Sequence, residues 1–228
     1  MTKFIIIAVF VFIVLGAIYF EKRRGDDMAA VAGRLGLSFQ PGQHKLPGEL
    51  SQAGFDLFTQ GPPNIKNRMQ GHRNGREVTL FDFHYDATTS GEGQQRVPVM
   101  DDRNSVERRS QTVIWFRSDS NLPDLDLSPG STHKRSVGQR FGLTRVTFDG
   151  QDAFNRQFVL LARDAGKMRE IFTDRVLDYL AGHPDTVLES RGRDTLYYRF
   201  GKLSDPKAVS GLLEEAESLL DLLQRNNP

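Results

Sequence analysis

The chain has 228 residues, 38% of them hydrophobic and 26% charged, which suits one globular domain, or a small domain plus an appendage. Thirty Lys and Arg stand against 29 Asp and Glu, and this near balance argues against a nucleic-acid binder, which needs a concentrated basic surface. There is no Cys, so lipoprotein anchoring is excluded.

The apolar residues gather first at the N-terminus. Phe4 to Phe20 reads FIIIAVFVFIVLGAIYF, without a charge. As a helix this run is ~25 Å long, near the lower limit for a ~30 Å hydrocarbon core. Tyr19 and Phe20 suit the membrane interface. A cleaved signal peptide is the competing reading. It is weakened by a single leading charge, Lys3, a poor cut after Gly16 and the basic segment that follows. The expectation is an uncleaved transmembrane anchor over residues 1–25. Lys22, Arg23 and Arg24 follow the run, so the positive-inside rule places the domain, residues 26–228, in the cytoplasm.

Asp26 and Asp27 are expected to cap a short helix that ends at Gly36. A Gly-, Pro- and Gln-rich loop and a short strand, FDLFTQG, come next. Asn74-Gly75 then lies between two extended segments and predicts a β-hairpin with a type I′ turn. On its second strand Thr79, Phe81, Phe83 and Tyr85 share one face, read as the core face. Val78, Leu80, Asp82, His84 and Asp86 share the other, whose polar end is expected to look outward. Residues 87–110 lack core formers and read as a long mobile loop.

QTVIWFRS resumes strand character, and LPDLDLSPG is extended. FNRQFVLLA suggests a strand. Asp164 should cap a helix running to about Leu180. TVLESRGRDTLYYRF reads as a second hairpin turning at residues 191–194, and Asp205-Pro206 opens a last helix. The fold class is therefore α+β, a mainly antiparallel sheet with packed helices behind one transmembrane helix.

Asp82, His84 and Asp86 alternate along one strand. Two carboxylates around an imidazole are the residue types of a metal or acid-base site. Yet neighbours two apart lie ~6.6 Å apart along a strand, so they need help from elsewhere, for which His72 is the candidate. A solvated strand face is the preferred reading, with no catalytic residue, metal or cofactor assigned. The pairs Asp101-Asp102 and Asp124/Asp126 read as loop chemistry. His133, Lys134, Arg135 and Arg140 lie among small residues, and Lys134 with Arg135 forms a possible anion or lipid-headgroup contact. None of the common P-loop, nucleophile-elbow, zincin or dinucleotide motifs occurs. Val209, Leu212, Ala216, Leu219 and Leu223 form a heptad seam, read as covering the chain's own sheet before a homodimer.

RLGLSF, TLFDFHYD and FNRQFVLLARDAGKMREIFTDRVLDYL, behind an N-terminal anchor, resemble a group of uncharacterised bacterial membrane proteins. The resemblance implies a membrane-anchored α+β domain and no particular activity. The leading expectation is a single-pass protein, held in the membrane by its anchor, whose cytoplasmic domain is a binding or scaffold module for another envelope protein. The rivals are a tethered metal-dependent hydrolase using Asp82, His84 and Asp86, and an anionic-headgroup binder.

Overall fold

The computed structural model describes residues 2–59, 63–87, 107–130 and 142–227; the side chains of residues 2–11, 13, 86, 87, 107 and 108 are outside this description. Helix α1 runs from Thr2 to Leu35 without a break, through the expected boundary at residue 25. Asp26 and Asp27 therefore lie within a helix and do not cap one. Gly36 follows with φ +69°, the left-handed stop that its lack of a Cβ permits. Among the described residues no helix is long and apolar enough to cross a membrane. The expected span, Phe4–Phe20, has most of its side chains outside them.

Seven antiparallel strands form one sheet: β1 (Ser38–His44), β2 (Asn64–Arg73), β3 (Arg76–Ala87), β4 (Glu107–Pro129), β5 (Thr144–Val146), β6 (Phe158–Ala162) and β7 (Thr186–Arg199). The path is β1-β2-β3-β4-β6-β5, and β7 pairs with the other edge of β4. One long strand thus serves as spine. Its first half lies between β3 and β7, its second between β6 and β7. QTVIWFRS and LPDLDLSPG are parts of this single strand, which bends at register shifts between Arg117 and Leu125.

Asn74 and Gly75, at φ 50° and 75°, make the turn between β2 and β3, as the Asn-Gly pair predicts. The second predicted hairpin is absent. Thr186–Arg199 is continuous, and Gly192, at φ 60°, accommodates the irregular pairing opposite Leu122. The Pro-containing stretch after Gly36 is not a loop but edge strand β1, and Pro41 lies in its register shift. DLFT of the expected strand FDLFTQG folds as a 3₁₀ turn, Asp56–Thr59, after α2 (Gly48–Gln52). FNRQ belongs to α3 (Asp152–Gln157) and only FVLLA is strand. The helix expected after Asp164 is two, α4 (Ala165–Ile171) and α5 (Asp174–Ala181). Asp164 does cap α4, accepting from the Lys167 N–H at 2.9 Å. Asp205 likewise accepts from Lys207 N–H ahead of α6 (Val209–Arg225). Of the expected loop 87–110, residues 107–110 begin β4 and residues 88–106 lie outside the described residues.

Both faces of the sheet are covered. On one, Met28, Val31 and Ala32 of α1 and Leu212, Ala216, Leu219 and Leu223 of α6 pack on Leu80, Ile114, Phe116 and Leu188. The heptad seam is thus buried within its own chain. On the other face Leu50, Phe55 and Leu57 cover Phe81, Phe83, Val113 and Tyr198.

Candidate functional site where the first helix meets the sheet

The two covered faces change the meaning of Asp82. Alternation puts it on the face of Val78 and Leu80, and that face is packed under α1 and α6. Its exposure is 1%, so the expected solvated strand face is corrected here. A buried carboxylate needs partners, and Asp82 has four donor contacts. Arg24 Nε and Nη2 donate to its two oxygens at 2.8 and 2.7 Å, a bidentate pair. Asn67 Nδ2 donates at 2.9 Å and Thr112 Oγ1 at 3.1 Å. Arg24 Nη1 also donates to the Ser204 carbonyl at 2.9 Å. The Ser204 N–H donates to Thr112 Oγ1 at 3.0 Å.

Asn67 reaches Asp82 through a distortion. It lies at the register shift between Lys66 and Met69, with φ 52°. A non-Gly residue in that region costs about 1–3 kcal/mol and persists where its surroundings hold it. One turn nearer the N-terminus of α1, Glu21 pairs with Lys66, the cross-strand partner of Asp82.

His84 sits one alternation further along β3 and makes a 2.7 Å contact from Nδ1 to Ser110 Oγ. Burial lowers its pKa; Asp82 opposes this while Lys66 and Arg24 reinforce it, so the imidazole is neutral at neutral pH. The Asp86 side chain lies outside the described residues, as do Asp101, Asp102, His133, Lys134, Arg135 and Arg140. His72 is not with His84. It stands opposite Glu77, and Asn64 stands opposite His84. Among the described residues no group of three or more His, Asp or Glu is placed to hold a metal ion. Asp82 and His84 share a strand, but Asp82 is bound to α1.

A second polar cluster lies under the 3₁₀ turn. Glu189 of β7 and Asp126 of β4 are cross-strand partners, both buried. Glu189 accepts from the Asp56 N–H at 2.6 Å and the Tyr198 hydroxyl at 2.7 Å. Asp126 pairs with Arg191 at 2.8 Å. Burial, then the charges of Asp126 and Asp56, push the Glu189 pKa up to about 8 against the pull of Tyr198 and Arg191. Burial likewise raises Asp126 to about 6. Sequence reasoning missed Glu189 and read Asp126, with Asp124, as loop chemistry, whereas Asp124 and Asp126 lie in β4. A Glu directly after Val187 and Leu188 was the available signal; Arg24, read as a topology charge, gave none.

An antiparallel sheet with helices on one face and a short helical cover on the other defines an α+β domain entered through a long N-terminal helix. No family model and no curated protein matches the chain. Among solved structures it is similar to the mycobacterial trehalose monomycolate transport factor A, TtfA, at a TM-score of 0.61 and 16% identity, over 88% of this chain and 94% of that one. At that identity the likeness is one of fold.

Proposed function

We propose that the chain is a single-pass membrane protein whose α+β domain is a binding or scaffold module of a bacterial envelope, serving lipid transport. The carrying observation is α1. Its C-terminal third is part of the domain's core, and its other end leaves the domain with Phe12 78%, Leu15 59%, Ile18 58% and Phe20 68% exposed. Large side chains exposed along one helix need an apolar partner, and a bilayer supplies one. Asp82, the most enzyme-like carboxylate of the sequence, is committed to holding that helix, which favours a module over a hydrolase. The fold it shares with a mycobacterial trehalose monomycolate transport factor supports the lipid-transport role. Lys22 and Arg23 beside the apolar run favour a cytoplasmic domain, with another envelope protein as its partner.

Membrane fractionation tests the reading. The full chain should stay in the membrane pellet through an alkaline carbonate wash, and a chain starting at residue 21 should be soluble and folded. A full chain released by the wash would sink it. A reporter fused at Pro228 that works only in the cytoplasm should be active, and activity only of an export-dependent reporter would reverse the sidedness.

A further inference from the structure

The chain leaves the sheet after His44 and rejoins it at Asn64, and residues 45–59 of this excursion lie across the face opposite α1 and α6. His44 and Ile65 are register partners, so the β1–β2 pairing holds the two ends of the excursion about 5 Å apart. Closed ends and a body packed by its own side chains are the form of an Ω-loop. None of residues 45–59 is strand, so the segment can lift without breaking a rung of the sheet.

Beneath it lies an aromatic floor. Phe81, Phe83, Tyr85, Trp115, Leu196 and Tyr198 gather on this face, in a cluster separate from the one that α1 and α6 bury. The buried members of this cluster that are not on strands are Leu50, Phe55 and Leu57, all from the excursion. Lifting the segment therefore uncovers the floor and leaves the core under α1 and α6 closed.

Polar groups of β7 fasten the cover. The Asp56 and Leu57 N–H groups donate to Glu189 at 2.6 and 3.3 Å, and Arg191 Nε donates to the Gly54 carbonyl at 3.2 Å. A cover whose only task is to close a core needs no carboxyl below it, because apolar residues of similar volume do so as well as a buried charged group or better. Glu189, Asp126 and Arg191 instead give the aromatic floor a polar end. Ligand pockets are built in this way, mostly apolar and aromatic with a few placed polar groups.

We propose that residues 45–59 are a cover that opens over the face of Phe81, Phe83, Trp115 and Tyr198 to admit one lipid acyl chain. The methylenes of the chain take the places of Leu50, Phe55 and Leu57, and the polar group that ends it meets the Glu189 cluster. The choice of an acyl chain over another apolar ligand rests on the lipid-transport reading. The opening of the cover does not.

Trp115 is the chain's single tryptophan and reports on the floor directly. The test uses the full chain in nanodiscs of ordinary phosphatidylcholine. The added probe is lysophosphatidylcholine, a single-chain lipid, with bromine on its acyl chain, which quenches tryptophan at contact range. The control is Trp115→Phe with Phe39→Trp. Phe39 shares a register row with Met69, Leu80 and Ile114, next to Trp115 along β4, but packs on the α1 and α6 side. Trp115 should lose most of its emission in a saturable way, and the tryptophan introduced at residue 39 should keep it. Without probe, the Asp56 and Leu57 amides should exchange with deuterium by local opening, about tenfold or more faster than those of Phe81 and Phe83. Both tryptophans staying bright, or both dimming alike, would overturn the acyl site. Exchange of the Asp56 and Leu57 amides at the rate of the β3 amides would overturn the cover. Retention in the nanodisc is read on the same samples. A chain that is retained but never quenched keeps its anchor and loses the site, and a chain that is quenched without being retained keeps the site and loses the anchor.

Discussion

Arg24 carries more of the structure than its place in a basic run suggests. Its guanidinium satisfies a carboxylate that, among the described residues, is otherwise held by Asn67 and Thr112. Removing one partner of a buried pair leaves an uncompensated charge, which costs about 3–5 kcal/mol. Arg24→Met should therefore lower the domain's unfolding free energy by roughly that amount in urea. Adding Asp82→Asn should recover part of the loss, because the charge goes with its partner. A double variant no more stable than Arg24→Met would show that the pair is not the cause. Glu189 gives the second residue-scale prediction. Its pKa is raised from the ordinary 4.5 to about 8 in the folded chain. Such a carboxyl contributes stability that is complete below its unfolded value and is lost as the pH climbs through about 8. Wild-type stability should fall over that window relative to Glu189→Gln, which has no charge to lose. A difference between the two proteins that does not change from about 4.5 to about 8 would contradict a protonated Glu189.

At the scale of elements, Ala87 and Glu107 are direct cross-strand partners at the end of the β3–β4 pairing. The ladder is already closed there, so a two-residue Asn-Gly turn in place of residues 88–106 should leave thermal unfolding cooperative. A broad, multistep melt would show that the segment supplies part of the core. In α6, Leu219 is fully buried on the sheet. Leu219→Ala should cost about 2–5 kcal/mol. A loss well under 1 kcal/mol, typical of surface substitutions, would mean that the helix does not cover the sheet in solution. Elements with local signatures were legible in the sequence. Asn74-Gly75 marked its turn, Asp164 and Asp205 marked helix starts, and the Leu spacing of α6 marked a buried stripe. Elements fixed by distant partners were not. Arg191 to Asp194 has turn chemistry, yet pairing with β4 carries the strand through it, with Gly192 taking up the irregularity at φ 60°. Asp82 looked solvent-facing because alternation along β3 does not reveal that α1 and α6 cover its second face. The Arg24–Asp82 pair spans 58 positions, beyond the reach of any periodicity.

For the whole molecule, the consequence is that helix and domain move together. A continuous α1 joined to the sheet by Glu21–Lys66, Arg24–Asp82 and the packing of Met28, Val31 and Ala32 has no hinge between residues 20 and 35. The domain's tilt at a membrane would then be set by the helix, and a partner would meet it in one orientation. The most direct test is a pulsed electron–electron distance measurement on the full chain in lipid nanodiscs, with spin labels at Leu15→Cys and Asp119→Cys. A rigid joint predicts one narrow distance distribution, broadened when Arg24 is replaced by Met. A broad distribution in the otherwise unaltered chain would contradict the account, since it would mean that the helix pivots against the domain.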